Sequence, residues 1–139
     1  MRRFKFSLEK VLQLRKFREE ECKLALGQAI SILNKIENDI KEIAQKRHNA
    51  AQSRFSNIAD FVSWDNYILR LEQETEKLAE QAAKAEMTVE EKRALYLEAQ
   101  KDFKVMENLK DKRQKEYRRE MLNAQMNEID DLTAARHSI

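Results

Sequence analysis

From Ile68 onward the apolar positions keep a strict rhythm. Ile68, Leu71, Thr75, Leu78, Ala82, Ala85, Val89, Lys92, Tyr96, Ala99, Phe103 and Met106 follow one another in alternating steps of three and four. Their neighbours are Glu, Lys, Gln and Arg. That heptad spacing predicts a helix carrying one narrow apolar seam, the pattern of a coiled coil. Thr75 and Lys92 are its polar members, and Lys92 can lay its methylene stem on the seam while its ammonium stays in water. The first half repeats the pattern in Ala29, Leu33, Ile36, Ile40 and Ile43, with a denser apolar cluster upstream at Leu8, Val11, Leu12, Leu14 and Phe17. Gly27 interrupts this helix at a cost of about 1 kcal/mol relative to Ala. With Ala25 and Ala29 beside it, it reads as a point of close approach.

The rhythm breaks near Arg54-Phe55-Ser56-Asn57. Asn57 followed by Asp60 predicts a helix N-cap with a partial capping box. Phe61 and Trp64 then open the second seam and are expected to plug the end of the hairpin, with Tyr67 beside them. The expectation is an all-α, single coiled-coil domain over residues 1–139. Helix one runs from about 7 to 53, the turn covers 54–57, and helix two runs from about 58 to 135.

A short turn forces the helices antiparallel. Leu8 should then face a residue near 105–109, and everything beyond about 113 should lack an intramolecular partner. At 1.5 Å per residue, helix two outruns helix one by about 30 Å, or about six turns. The sequence changes character there. The next seam positions are Lys110, Arg113 and Tyr117, and Lys104 to Glu120 holds seven basic and four acidic side chains. Met121, Leu122, Met126, Ile129 and Leu132 add a modest apolar stripe. An isolated helix is marginal in water, so this overhang is the expected interaction surface.

Composition narrows the function classes. The chain has 139 residues, one Gly, no Pro and 37% charged residues. Globular domains average about 25% charged, 7% Gly and 5% Pro, so few bends and very long elements are expected. Charges nearly cancel, at 27 basic against 25 acidic, which gives no general case for nucleic acid. The lone Cys22 excludes an intramolecular disulfide and fits a reducing compartment. No apolar run approaches the roughly 20 residues of a membrane span. The basic Met1-Arg2-Arg3-Phe4-Lys5-Phe6 has no apolar run behind it and is not a secretory signal.

Chemistry is scarce. With one Gly there is no phosphate-cradling loop. His48, His137 and Cys22 lie too far apart in a hairpin to hold zinc. Two paired helices offer no deep pocket for a small-molecule substrate, and Cys22 reads as a small seam residue. No catalytic, cofactor or metal site is expected, and the chain is not expected to be an enzyme.

Three motifs in order resemble one family. They are Phe4-Lys5-Phe6-Ser7-Leu8-Glu9-Lys10-Val11-Leu12, then Trp64-Asp65-Asn66-Tyr67-Ile68 followed by Leu71-Glu72, then Glu107-Asn108-Leu109-Lys110-Asp111-Lys112 with Glu128-Ile129-Asp130-Asp131-Leu132 and Ala135-Arg136 downstream. At this spacing the whole chain resembles the flagellar FliJ family, the small coiled-coil component of the bacterial type III export apparatus. The resemblance implies an antiparallel two-helix stalk, monomeric when free, that promotes motility by serving flagellum assembly. Its terminal end would enter the hexameric export ATPase and promote its assembly and activity. Other surfaces would contact the membrane export gate and the chaperones of late substrates, at the cytoplasmic face of the inner membrane. Carried onto this chain, the inserted end would be residues 2–18 with 109–139. The ATPase-binding candidates are Phe4, Phe6, Leu8, Arg113, Lys115, Arg118 and Arg119. The gate-binding candidates are Phe61, Trp64, Tyr67, Arg70 and Glu74, on a stripe more charged here than the family pattern. A generic coiled-coil scaffold is the alternative, and a stable homodimer would favour it.

Overall fold

In a computed structural model, which describes residues 3–137, the chain is a helical hairpin. Helix α1 spans Glu9–Ala51 and α2 spans Ile58–His137. Both begin and end within two residues of the expected bounds, and α2 is the longer, as expected. Residues 52–57 form the turn, two residues longer than expected.

The hairpin comprises two compact units. One joins Met1–Glu20 to Glu98–Ile139, and the other is Glu21–Leu97. In both, the core is a strip. From Trp64 to Met106 of α2 every seam position is buried or half-buried, and every other position except Asp102 is exposed. Ala99 is the most enclosed, at 1% exposed, followed by Leu71, Met106 and Val89. Helix α1 answers with Leu12, Arg15, Glu19, Cys22, Leu26, Ala29, Leu33, Ile36, Ile40 and Ile43, again in alternating threes and fours and all at least half-buried. Of the upstream cluster only Leu12 is buried, while Leu14 and Phe17 face solvent. They sit about 130° or more around α1 from the seam, at about 100° per residue, so a dense apolar cluster did not mean a dense core.

The polar seam members keep their partners. Thr75 Oγ1 donates to the Leu71 carbonyl at 2.7 Å, the usual outlet for a helical hydroxyl. Arg15 Nη1 donates across the hairpin to the Asp102 carbonyl at 3.1 Å, which accounts for the half-burial of Asp102. Among the described residues no polar or charged side chain is fully buried.

At the turn the C-terminus of α1 closes without a left-handed residue, since none of the described residues has positive φ. Gln52 N donates to the Asn49 carbonyl and Ser53 N to the Ala50 carbonyl, tightening the last turn. The Ala50 carbonyl accepts a second bond, from Trp64 Nε1 at 2.7 Å. An indole from one helix therefore gives a second donor to a carbonyl in the last turn of the other. Asn57 caps α2 as expected, its Oδ1 accepting from Asp60 N at 2.8 Å. The Asp60 carboxylate turns back to Ser56, whose Oγ donates to it at 2.7 Å.

Gly27 is not a point of close approach. It is exposed, and a Cβ built there meets nothing within 4 Å. The close approach belongs to Ala29, which is 6% exposed.

The chain before α1 also departs from expectation. Residues 3–6 are not helical, and they run on along α2 instead of ending at the level of Leu8. The Phe4 ring sits 5.6 Å from that of Tyr117. Lys110 Nζ pairs with Glu9 Oε2 at 2.9 Å, and Gln13 Nε2 also donates to Glu9. Those hydrogen bonds to the Glu9 carboxylate, from Lys110 first, hold its pKa below the ordinary 4.5. The α2 helix is thus covered as far as Met121, and its uncovered part is 122–137, about 24 Å at 1.5 Å per residue. That is shorter than the roughly 30 Å expected.

Leu71→Ala, at a site 4% exposed, should cost about 2–3 kcal/mol in urea unfolding. Gly27→Ala should raise stability by about 0.5–1 kcal/mol, because the helical backbone there is already compatible with Ala. The lowered Glu9 pKa means its pairing with Lys110 contributes fully above pH 4.5 and fades as the pH falls through the lower folded value. Amide exchange in residues 8–13 should therefore quicken on acidification more in the wild type than in Glu9→Gln, which lacks the carboxylate at every pH.

Candidate interaction surfaces

The terminal unit gathers the first candidate set. Phe4 and Phe6 are half-buried against α2, and Leu8 is 39% exposed beside them. Phe6, Lys5, Glu9 and Lys110 line a shallow depression where the N-terminal segment crosses α2. A larger open groove of about 570 Å³ follows. Phe4, Tyr117, Met121 and Leu122 form its apolar floor, and Arg3, Arg118 and Gln125 rim it.

The four cations do not make one patch. Arg113, Lys115, Arg118 and Arg119 are all exposed. At about 100° per residue, Arg118 and Arg113 stand on opposite flanks of the seam, while Lys115 and Arg119 point away from it. Only Arg118 lines the groove. Arg113 was expected in the seam, but the buried and half-buried positions run Met106, Leu109, Lys110, Gln114, Tyr117 and Met121. Phe103 to Gln114, through Met106 and Lys110, takes steps of three, four and four, an 11-residue interval that is three turns of a nearly straight helix. The seven-residue repeat holds only where a second helix holds the supercoil.

Beyond Met121 every described residue is exposed. Leu122, Met126, Ile129 and Leu132 are 59–67% exposed on one face of α2. Arg2, Ser138 and Ile139, within the expected inserted end, lie outside the described residues.

The turn-proximal unit holds the second set. Phe61 and Trp64 stack with ring centroids 6.1 Å apart, and Phe55 meets both edge-on at 5.5 and 5.2 Å. Trp64 is half-buried and structural, through its bond to Ala50. Phe61 is 49% exposed, so it covers the turn rather than plugging the seam. The reason is geometric. Trp64 already stands at the last turn of α1, so Ile58 to Ser63 have no α1 residue opposite them. Tyr67 lies at the margin of exposure, with the Arg70 guanidinium 6.0 Å from its ring centroid. Glu74, Lys77 and Gln81 follow on the same flank. They line an interhelical groove with Asp39, Glu42 and Lys46 over Ile43 and Leu78. Phe55, in the turn, is the centre of the aromatic cluster. Its distance of six residues from Phe61 resembles a hydrophobic staple with one extra residue.

Chemistry finds no foothold in what is described. Among the described residues no group of three His, Cys, Asp or Glu could hold a metal ion, and no helix is long and apolar enough to cross a membrane. Cys22 is half-buried beside Glu21, Ala25, Lys92 and Leu95, and Lys92 lies in the seam as expected.

No curated protein and no solved structure matches the chain. A model of the family described as Flagellar FliJ protein matches residues 4–138, nearly the whole chain and all three motifs. An unequal two-helix hairpin with a bare helical end, matched from residue 4 to 138 by that family, belongs to the flagellar FliJ proteins, non-catalytic components of flagellar export.

Proposed function

We propose that the chain is the stalk of the flagellar export ATPase, inserted by its terminal end into the hexameric ring. One observation carries this reading. The N-terminal segment folds onto α2 and ends at Tyr117 and Met121, which leaves 122–137 and the cations around 113–119 accessible. A bare, charged helical end supports insertion better than lateral adhesion, because cations that project around the helix can meet several surrounding subunits at once. A two-helix hairpin also lacks six-fold symmetry. In a six-membered ring it contacts the subunits unequally and biases their nucleotide states through differential binding.

On this reading Phe4, Phe6 and Leu8 shape the inserted end, and Arg113, Lys115, Arg118 and Arg119 meet acidic surfaces of the ring. The turn-proximal flank contacts the membrane export gate through Phe61, Tyr67, Arg70 and Glu74, with Trp64 holding that flank in place. Substrate chaperones are the remaining partners, and the site of action is the cytoplasmic face of the membrane at the flagellar base.

The test is ATP hydrolysis by the purified export ATPase with and without this protein. Addition should raise the rate. Reversal of Arg113, Lys115, Arg118 and Arg119 together should raise the half-saturating concentration by about tenfold or more, with the helical content unchanged. Unchanged stimulation would move the site elsewhere, and no stimulation by the wild type would remove the stalk reading.

A further inference from the structure

The bare end of α2 has a charge order that suits one particular partner. From 113 to 119 it carries Arg113, Lys115, Arg118 and Arg119 against a single Glu116. From 120 to 127 only Glu120 is charged, and from 128 to 131 come Glu128, Asp130 and Asp131 with no cation. Basic, neutral and acidic blocks thus follow one another about a centre near Gln125. A helix with that order complements itself when it is reversed.

We infer that the 118–136 segment pairs antiparallel with the same segment of a second copy of this chain. Four features agree on one register. With the two-fold axis near Gln125, Leu122 of each copy lies level with Ile129 of the other, and the two Met126 side chains meet near the centre. All are exposed and on one face. Arg119 falls level with Asp130 of the second copy. Those two positions project within about 20° of each other around α2, at about 100° per residue, so they share the flank that an antiparallel partner brings together. Leu132 of the second copy falls level with Arg118, on the side of Met121. There the groove of about 570 Å³ among Phe4, Tyr117, Met121 and Leu122 stands open. The groove and the stripe meet at Leu122, and a second copy fills the groove with the far end of its own stripe. Pairing also gives the bare helix the neighbour that isolated helices need in water.

One two-helix interface of about five turns buries less than the ~1,200–2,000 Å² of a stable interface. The pairing is therefore weak and concentration-dependent, and the dilute chain is a monomer. It does not depend on the ring-binding reading, and it is tested on the chain alone.

Sedimentation equilibrium of the full chain in about 0.1 M salt should show 16.6 kDa at about 1 µM and a mass rising toward the dimer as the concentration nears 1 mM. Arg119→Glu and Asp130→Arg should each weaken association by about tenfold or more, because each sets like charges together twice. An equimolar mixture of the two variants should associate at least as well as the wild type, since the charges then complement in both contacts. Circular dichroism of each variant alone checks that the helices remain. A mass that stays at 16.6 kDa at all concentrations overturns the inference. So does association that survives both single reversals, or a mixture that fails to recover.

Discussion

The two helices hold each other through one strip of side chains, and nothing else in the hairpin stands without it. The strip is narrow because the outer faces are charged. In each unit it holds because α1 and α2 both step by threes and fours. Antiparallel pairing then fixes which residues meet. The bonds from Arg15 to the Asp102 carbonyl and from Trp64 to the Ala50 carbonyl exist only in that register. Small residues set its closest points, as at Ala29 and Ala99. Such a strip cannot enclose a substrate, so what the protein offers is surface.

The ends show what happens where the strip runs out. At the turn, α2 begins before it has α1 opposite, and three aromatic rings cover the gap. At the other extremity α1 gives way to a short non-helical segment. Phe4 against Tyr117 and Glu9 with Lys110 extend the cover of α2 by a few residues. Along that stretch the seven-residue repeat relaxes to 11, and past Met121 every described residue is exposed. Both extremities expose apolar side chains beside charges, and these are the places where a helical hairpin can recognise partners. Pairing between copies and entry into a ring use the same bare end and would exclude one another.

The seam of α2 was legible residue by residue, because heptad spacing and charged flanks leave one solution. The cap at Asn57 was legible for a similar local reason, a side-chain oxygen three residues before the amide it accepts. The apolar cluster of Leu14 and Phe17 misled. Hydrophobicity alone does not say which side of a helix has a partner. Gly27 misled in the same way, since small size marks a close approach only on the seam. The candidate cations could be located along the chain but not treated as a patch. Arg113 and Arg118 part company only once the direction of the seam is known.

The sequence by itself determined two long helices, a single turn, an unequal hairpin and the family. The first three follow from periodicity and local chemistry over many residues, and the family from three motifs in order. Tertiary structure alone decided where residues 3–6 lie, which residue takes the seam position near 113, and how Trp64 closes α1. Those outcomes depend on contacts between parts of the chain far apart in number, whose geometry no local pattern encodes. They also set where the bare end of α2 begins, and with it the surface that remains for a partner.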